Sequence, residues 1–275
     1  GLKVDSYTLC LDKFLAIPSS DDVDIEGIKT KEPTYGFDAV WVSESQLKEA
    51  RKKEYHVADC LTVMATHFTS IVKKYAHEML TRENVKQMLD IVKEKNPTIV
   101  EELIPNILTI GQVQKVLSNL LRENIPIKNL APILEALADN APMTKDTSIL
   151  TELAREKLKK QIISTIDDGD IYYISFSADS EKILSESLQE NHLFGLFLNI
   201  HPNKASMLLQ QVKQHSNDIL GLGKTPIVVC SSSIRFYLNK FLEQAQMSFI
   251  KVLSYDELSV SQSTLHNKAV IDLKD

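Results

Sequence analysis

The sequence predicts an α+β fold of several subdomains: a small α/β unit at the amino-terminal end, a central helical bundle, and a carboxyl-terminal α/β subdomain with a βαβ unit. Three observations support this prediction. Apolar residues alternate near the start of the chain, they recur about every 3.6 residues through the middle, and strand-like and helical segments alternate towards the end. With 275 residues, of which 43% are hydrophobic, the chain can bury more than one core.

The chain begins with extended segments. Residues 4–17 are rich in Val, Leu, Phe and Ile, and they end at Pro18 and the acidic run 19–24, which is typical of a surface loop. No initiator Met precedes this pattern, and the strand-like spacing starts with the first residues. We therefore expect the sequence to be part of a longer protein.

A small α+β unit follows. The stretch 38–42 (DAVWV) predicts a strand, and the next residues predict a helix in which Ser43 and Gln46 form a capping box. A short strand is predicted at 55–59. A unit of this size is too small to fold comfortably alone, so we expect it to lean on a neighbouring element.

The hydrophobic period changes to that of a helix at Asp59, which is a plausible N-cap. A second helix is predicted from Thr81, where T-x-x-N provides a cap without the full capping box, and further helices follow at 98–103, 109–124, 127–140 and 146–165. The short loops between them indicate a bundle. One face of the first long helix is apolar and consists of Leu61, Met64, Phe68, Ile71, Val72 and Tyr75.

The last part of the chain alternates between the two kinds of element. Strands are predicted at 170–177, 225–231 and 249–255, with helices between them at 204–221 and 233–246. Because a strand, a helix of about a dozen residues and a second strand form a βαβ unit, we expect at least one parallel strand pair.

Composition excludes several classes of function. The net charge is -6 and the basic residues are scattered, so no face is offered to a nucleic acid. No apolar run approaches the roughly 20 residues that span a bilayer. The three cysteines, Cys10, Cys60 and Cys230, lie far apart among apolar neighbours, which predicts buried reduced thiols in a reducing compartment.

The stretch 220–225 (LGLGKT) resembles a phosphate-binding loop in part. Such a loop needs Gly, four residues and then Gly-Lys-Ser/Thr before a helix. Here Asp218 occupies the first Gly position, and the GKT triplet precedes a predicted strand. We therefore predict a helix C-cap at Gly221 or Gly223. A nucleotide-binding enzyme that uses Gly221 to Thr225 stays as an alternative.

No metal site, cofactor site or catalytic cluster is predicted. His67 and His77 are ten residues apart and lack the i, i+4 spacing of a metal pair. The stretch 230–233 (CSSS) lacks the glycines of a nucleophile elbow. With 8 glycines in the chain, few places can wrap closely around a cofactor. We therefore predict a protein that is not an enzyme and has no small-molecule substrate.

The most unusual chemistry lies in residues 30–42 (TKEPTYGFDAVWV). Pro33 disfavours the helical region for Glu32, and Gly36 permits a backbone turn that other residues adopt only at a cost. Glu32 and Tyr35 are therefore held on one rigid turn. A turn with an aromatic ring beside an acid is typical of partner-binding surfaces, and the alternative is a structural turn with Tyr35 packed inward.

Three blocks of sequence support a family resemblance. These blocks are residues 25–42, 58–68 and 105–146 (IEGIKTKEPTYGFDAVWV, ADCLTVMATHF and PNILTIGQVQKVLSNLLRENIPIKNLAPILEALADNAPMTKD). Together they resemble the cytosolic domain of the type III secretion export gate family, and EALADNAP favours its flagellar members. A virulence-injectisome homologue stays as an alternative, and the rest of the chain resembles the family only in the order of its elements.

The resemblance implies four subdomains. The first is a remnant formed by 1–10 and 60–79, with a strand near residues 1–10. The second is 11–59, the third is the helical region 80–159, and the fourth is the α/β region 160–275. The resemblance also implies a bacterial inner-membrane protein in full length, with this part on the cytoplasmic side, and a nonameric ring.

The resemblance also implies partners and a docking site. The partners are flagellar export chaperones with their cargo, the export ATPase complex and its stalk, and other export gate proteins. Chaperones of the flagellar family dock at an acid and an aromatic of a D-P-x-F-G turn and at the Thr of an A-T-H motif. Those positions match Glu32, Tyr35 with Gly36, and Thr66, where Glu for Asp and Tyr for Phe change the reach of the side chains. Val40 and Trp41 are predicted to support the groove from behind.

Overall fold

The structure is a computed structural model that describes residues 3–18, 25–34, 36–166, 169–191 and 195–274. Its contacts divide the chain into two compact units, an amino-terminal unit (Gly1–Met79) and a carboxyl-terminal unit (Leu80–Asp275). The predicted acidic loop 19–24 lies outside the described residues.

A four-stranded antiparallel sheet forms the centre of the amino-terminal unit, and its strands lie in the order 28–31, 38–42, 14–17 and 56–58. The predicted capping box is confirmed, since the side chain of Gln46 accepts a hydrogen bond from the Ser43 backbone N–H at 2.9 Å. The elements are β1 (Phe14–Ile17), β2 (Ile28–Lys31), β3 (Asp38–Val42), α1 (Leu47–Lys52, after a 3₁₀ turn), β4 (His56–Ala58) and α2 (Cys60–Met79).

Alternation along β3 gives this sheet two apolar faces, because successive side chains of a strand point to opposite sides. Val40 and Val42 pack with Ala50 of α1 on one face. Trp41 packs with Val63 of α2 on the other face. The small α+β unit therefore leans on α2, as the sequence predicted.

The region before β1 differs from the prediction. The strand predicted near residues 1–10 is wrong for the described residues 3–10, which form no strand. The side chains of Tyr7, Leu9 and Cys10 pack against the Trp41 core instead. Since β1 already pairs with β3 on one side and β4 on the other, it offers no free edge to another strand.

Helix α2 begins as predicted but buries a different face. The carboxylate of Asp59 accepts a hydrogen bond from the Thr62 backbone N–H at 2.7 Å, which confirms the N-cap. Val63 is the buried residue of this helix. The predicted apolar face is exposed at Leu61, Met64 and Phe68, and Phe68 is 66% exposed.

The carboxyl-terminal unit begins with the predicted helical bundle. Thr81 and Asn84 form a complete capping box, so the prediction of a partial cap was wrong. The Thr81 backbone N–H donates a hydrogen bond to Asn84 Oδ1 at 3.0 Å. The helix predicted at 127–140 begins four residues later than expected, at Ala131, with Pro132 in its first turn. The helices are α3 (Arg82–Lys95), α4 (Pro97–Leu103), α5 (Ile110–Arg122), α6 (Ala131–Asn140) and α7 (Thr147–Ser164).

A four-stranded parallel sheet follows, with the order β10-β5-β8-β9, which confirms the predicted βαβ arrangement. The sequence did not predict α8, the β6–β7 hairpin, α11 or β10. The elements are β5 (Asp170–Phe176), α8 (Ala178–Glu186), β6 (Leu188–Asn191), β7 (Gly195–Leu198), α9 (Pro202–Leu220), β8 (Ile227–Cys230), α10 (Ser232–Gln244), β9 (Lys251–Ser254), α11 (Tyr255–Leu258) and β10 (Thr264–Ile271).

Both faces of the parallel sheet are covered, which explains why β8 is a continuous apolar run. Ile227 and Val229 pack with the helical bundle. Val228 and Cys230 pack in a second core, with residues of α8, α9 and α10. None of the helices in the described ranges is both long enough and apolar enough to cross a membrane.

Candidate functional site

The unusual stretch 30–42 forms a β-hairpin. Strands β2 and β3 pair up to Lys31 and Asp38, and the turn between them closes with a hydrogen bond from the Glu32 backbone N–H to the Phe37 carbonyl at 2.8 Å. The Gly36 backbone N–H donates to the Glu32 carbonyl at 2.9 Å. Gly36 has a φ of 76°, in the left-handed region that glycine adopts without penalty. The turn predicted from Pro33 and Gly36 is therefore present, and its rigidity stays a prediction.

Glu32 contributes to the structure of this turn. Its carboxylate oxygen Oε1 accepts a hydrogen bond from the Thr34 backbone N–H at 2.9 Å. The residue is only 7% exposed. One oxygen of its carboxylate therefore stabilises its own turn, and its role as a recognition charge stays a prediction.

The other predicted site residues lie on two elements. Tyr35 lies outside the described residues, between Thr34 and Gly36. Phe37, at the other end of the turn, is 59% exposed. Thr66 is an exposed residue of α2. The structure thus brings Glu32 and Gly36 together in one turn and carries Thr66 on a separate element of the same unit.

The segment before β1 connects the hairpin with α2. The Tyr7 hydroxyl lies 3.3 Å from Thr30 Oγ1 on β2. The Tyr7 ring packs edge-on against His67 of α2, with 5.9 Å between ring centroids. His67 Nε2 lies 3.4 Å from the Asp5 carboxylate. Because Thr66 directly precedes His67, these contacts also fix the position of Thr66 relative to the hairpin.

The contact between Asp5 and His67 also affects the pKa of Asp5. The Ser6 backbone N–H and then the His67 side chain lower the pKa of Asp5 below its ordinary value, because both donate hydrogen bonds to the charged carboxylate.

A buried cluster of charged residues in the carboxyl-terminal unit was not predicted. Arg155 Nε and Nη2 donate to the two carboxylate oxygens of Glu257, at 2.8 and 3.1 Å, and its Nη1 donates to Glu123 at 2.8 Å. Arg235 donates to both oxygens of Glu123, at 2.7 and 3.0 Å, and to Glu152 at 2.6 Å. These five residues, the charged cluster, join the helical bundle to α10 and α11.

The position of Arg155 in α7 was the signal in the sequence that could have predicted this cluster. Arg155 follows Thr151 by four residues and precedes Leu158 by three, and both of those residues are buried. A charged residue in phase with a buried helix face indicates a paired charge in the core. Burial opposes ionisation of Glu123, but the charges of Arg155 and Arg235 outweigh it and lower the pKa of Glu123.

The cysteines differ from one another. All three thiols are free, in agreement with the prediction of reduced cysteines. Only Cys230 is buried, and desolvation raises its pKa well above the ordinary value. Cys10 and Cys60 are half-buried, so the prediction of burial was wrong for them; Cys10 packs against the Trp41 core, and Cys60 is the first residue of α2.

The stretch 220–225 ends a helix, as predicted. The backbone N–H groups of residues 221–224 all donate to carbonyls in the last turn of α9, at distances from 2.8 to 3.4 Å. Donors that satisfy a helix end are not directed at a phosphate. At the start of α10, the Ser231 backbone N–H donates to the Glu181 carboxylate at 3.1 Å. An anion of the protein itself therefore occupies that helix N-terminus.

Within the part of the chain that the structure describes, His, Cys, Asp and Glu side chains form no group of three that could hold a metal ion.

Comparison with known proteins gives a family. The model of the FHIPEP family matches residues 1–263. The flagellar biosynthesis protein FlhA of Bacillus subtilis (strain 168) is 36% identical over 264 residues, which are 95% of this chain and 39% of that protein. FlhA of Helicobacter pylori (strain J99) is 36% identical over 266 residues, or 94% of this chain and 35% of that protein. The chain thus spans less than two fifths of these relatives.

Solved structures share the fold. The Chlamydia pneumoniae CdsV protein has a TM-score of 0.81 at 22% identity, with 94% of this chain and 75% of that chain covered. Nonameric EPEC SctV-C has a TM-score of 0.75 at 22% identity, with 96% and 79% covered. CdsV in a complex with CdsO has a TM-score of 0.71 at 23% identity, with 85% and 68% covered.

The order of the helices and sheets in this chain therefore agrees with the α+β fold of these C-terminal domains. The sequence relatives are flagellar proteins, and their similarity extends over nearly the whole chain. The chain belongs to the FHIPEP family, and nearly all of it is similar to part of the flagellar biosynthesis protein FlhA.

Proposed function

We propose that this chain is a docking platform for flagellar export chaperones with bound cargo and that it acts without enzymatic chemistry. The chaperone binds at the hairpin turn of Glu32, Tyr35 and Gly36 together with Thr66 of α2. The proposal rests on one observation: backbone hydrogen bonds at Glu32 and the left-handed Gly36 define the turn, and Tyr7 connects its hairpin with the helix that carries Thr66. A preformed surface of this kind loses little entropy on binding.

Calorimetric titration with a cargo-loaded flagellar export chaperone tests the site. We expect Tyr35→Ala to weaken binding about tenfold or more. Truncation of an aromatic anchor commonly costs an interface about 2 kcal/mol or more of binding free energy. The matched control is Phe249→Ala, because Phe249 is an exposed aromatic residue of the carboxyl-terminal unit. Unchanged affinity of the Tyr35 variant would remove the turn from the site.

Thr66 has a control on the same helix. Thr66→Val keeps the shape of the side chain and removes its hydroxyl, and Thr69→Val makes the same change at another exposed position of α2. We expect only the first variant to weaken chaperone binding. Equal affinities of the two variants would argue that Thr66 makes no polar contact with the chaperone.

Glu32→Gln separates two roles of the acid. Glutamine retains a side-chain oxygen that can accept the hydrogen bond from Thr34, but it carries no charge. If Glu32 is a recognition charge, the variant binds the chaperone more weakly and the salt dependence of binding falls. If Glu32 acts only by shaping the turn, the variant binds like the unchanged protein.

We extend the proposal to assembly and to the other partners. The full-length protein lies in the bacterial inner membrane with this region on the cytoplasmic side, forms a nonameric ring, and contacts export ATPase components and other gate proteins. Two solved structures with this fold support the extension: one is nonameric EPEC SctV-C, and the other is a complex of CdsV with CdsO. Mass photometry of the full-length cytosolic domain tests the ring.

The alternative functions are less well supported. The 36% identity to flagellar relatives favours the flagellar gate over an injectisome homologue, which shares the fold at 22 to 23% identity. For the nucleotide-binding enzyme, equilibrium dialysis with labelled ATP provides the test. Saturable binding that is lost in Lys224→Ala would favour that alternative over a docking platform.

A further inference from the structure

We propose that the carboxyl-terminal unit contains a second docking site, a groove that binds a basic amphipathic helix of a partner protein. The groove lies between α7 and the β6–β7 hairpin, with the start of α10 and α11 completing it. We call it the α7–α10 groove. It is independent of the hairpin turn of Glu32, since all of its residues belong to the carboxyl-terminal unit.

The size of the groove suits two turns of a helix. Its volume is about 460 Å³, which is within the range of roughly 300 to 1,000 Å³ that is typical of ligand sites. Helix α7 lines it from Ser148 to Glu156. Eight residues along a helix correspond to about 12 Å, or a little over two turns. A helix that lies along α7 can therefore place two or three apolar side chains in the groove.

Apolar side chains form the floor and walls. Phe236 and Tyr237 lie at the start of α10, and their rings are in edge-to-face contact with 5.4 Å between centroids. Leu188 and Leu196 come from the β6–β7 hairpin. Ile149 of α7 is 41% exposed although it is apolar. Such a surface favours a ligand that brings aliphatic or aromatic side chains.

The charge of the groove selects a basic ligand. Its lining contains four carboxylates, and none of the described lining residues is Lys, Arg or His. Glu156 and Asp256 are exposed at the rim, where Lys159 lies 2.5 Å from Glu156 and offsets one of the two charges. Within the charged cluster behind the floor, three glutamates face two arginines. Lys240 Nζ lies 4.5 Å from the centroid of the Phe236 ring and adds a further cation near the floor. Rim and cluster together still have an excess of carboxylates over these cations.

The environment of Tyr237 agrees with this electrostatic argument. Burial, then the charges of Asp146 and Glu152, raise the pKa of the Tyr237 hydroxyl to about 12. A negative potential at the floor of the groove disfavours the phenolate, and it attracts Lys or Arg side chains that flank an apolar anchor.

Two synthetic peptides of about 14 residues test the inference, a length of nearly four helical turns. Both have the same Leu face, and the polar face is Lys in one and Glu in the other. Fluorescence anisotropy is measured with the whole chain. We expect the Lys peptide to bind saturably, with affinity that falls as salt rises, and the Glu peptide to bind at least tenfold more weakly.

Matched variants locate the binding. Ile149→Ser removes an exposed apolar side chain of the groove, and Ile91→Ser removes one from α3, where Ile91 is 63% exposed. We expect about a tenfold loss of Lys-peptide affinity for the first and none for the second. The double variant Glu156→Gln/Asp256→Asn should weaken binding several-fold, whereas the exposed pair Asp90→Asn/Glu94→Gln on α3 should not.

Three results would overturn the inference. Equal binding of the two peptides would exclude the charge argument, and equal effects of Ile149→Ser and Ile91→Ser would mean that the peptide binds acidic surface in general. Sedimentation that shows a dimer of this chain, lost in Ile149→Ser, would assign the groove to a second copy instead. Far-UV circular dichroism of each variant verifies that it is folded.

Discussion

Two glycines determine the hairpin at the level of single residues, for different physical reasons. Gly27 precedes β2, and a Cβ atom there would lie 2.5 Å from the Trp41 carbonyl oxygen, so the close approach of two backbones excludes any side chain. Gly36 has open space around it, but its φ of 76° disfavours residues with a Cβ. One position is restricted by contact and the other by conformation.

Gly36→Ala should therefore destabilise the amino-terminal unit by about 1 to 2 kcal/mol, the cost of the left-handed conformation for an L-residue. Urea unfolding followed by the fluorescence of Trp41, the single tryptophan, measures the change, because Trp41 lies in the core of this unit.

Gly221→Ala is the matched control. Gly221 has a φ of -60°, in the right-handed helical region at the end of α9. Alanine fits this conformation, so we expect no loss of stability. Losses of the same size at Gly36 and Gly221 would contradict the conformational argument.

At the level of elements, side-chain caps determine where helices begin. Thr109 and Gln112 form a capping box at α5: the Gln112 backbone N–H donates to Thr109 Oγ1 at 3.2 Å, and the Thr109 backbone N–H donates to Gln112 Oε1 at 2.9 Å. Each bond satisfies a backbone donor that the helix itself leaves unpaired. Cap signals are local in sequence, which is why most of the helix starts were predicted closely.

Thr109→Ala should destabilise the carboxyl-terminal unit by about 1 kcal/mol, because it removes one of these acceptors. Thr109→Ser should restore most of the loss, since serine caps helices as well as threonine does. Chemical denaturation followed by circular dichroism measures both. A serine variant as unstable as the alanine variant would indicate that the lost methyl group, and not the cap, causes the change.

The charged cluster belongs to the scale of the whole molecule, because its members come from widely separated parts of the sequence. Glu123 follows α5, Glu152 and Arg155 lie in α7, Arg235 lies in α10, and Glu257 lies in α11. Both arginines are buried. Removing one member leaves a buried charge without its partner, which is far more costly than the net contribution of the pair.

Arg235→Met should therefore destabilise the carboxyl-terminal unit by about 3 to 5 kcal/mol. Arg122→Met provides the control, since the Arg122 guanidinium is partly exposed and lies 3.9 Å from Glu243. A surface pair of this kind contributes about 1 kcal/mol or less. Hydrogen exchange with mass spectrometry should show lost protection in residues 80–275, while the separate core of the amino-terminal unit retains its protection.

The same cluster predicts a pH dependence. The pKa of Glu123 is lower in the folded protein than its ordinary value of 4.5. Its ionisation therefore contributes stability above the unfolded pKa, and that stability is lost as the pH falls through the lowered folded pKa. Arg235→Met removes one of the charges that lower this pKa. The acid-unfolding midpoint should move to higher pH in the variant; an unchanged midpoint would contradict the role of Arg235.

Much of the fold could be predicted from the sequence, because its signals are local. The period of apolar residues, the caps at Ser43 and Asp59, and the turn at Pro33 and Gly36 depend on residues within one or two turns of each other. Elements such as α8 and β10 were not predicted, since most of their residues are exposed and their apolar residues give no clear period.

The sequence by itself determined the kinds of elements, their order and the rigid turn, because short-range hydrogen bonding and side-chain periodicity fix these features. Tertiary structure decided which surfaces are buried. It turned Leu61 and Phe68 of α2 outward, buried the carboxylate of Glu32 in its own turn, and paired Arg155 and Arg235 with distant glutamates. Burial depends on contacts between residues far apart in the chain; the local pattern around Arg155 indicates a buried position but does not specify which glutamates it meets.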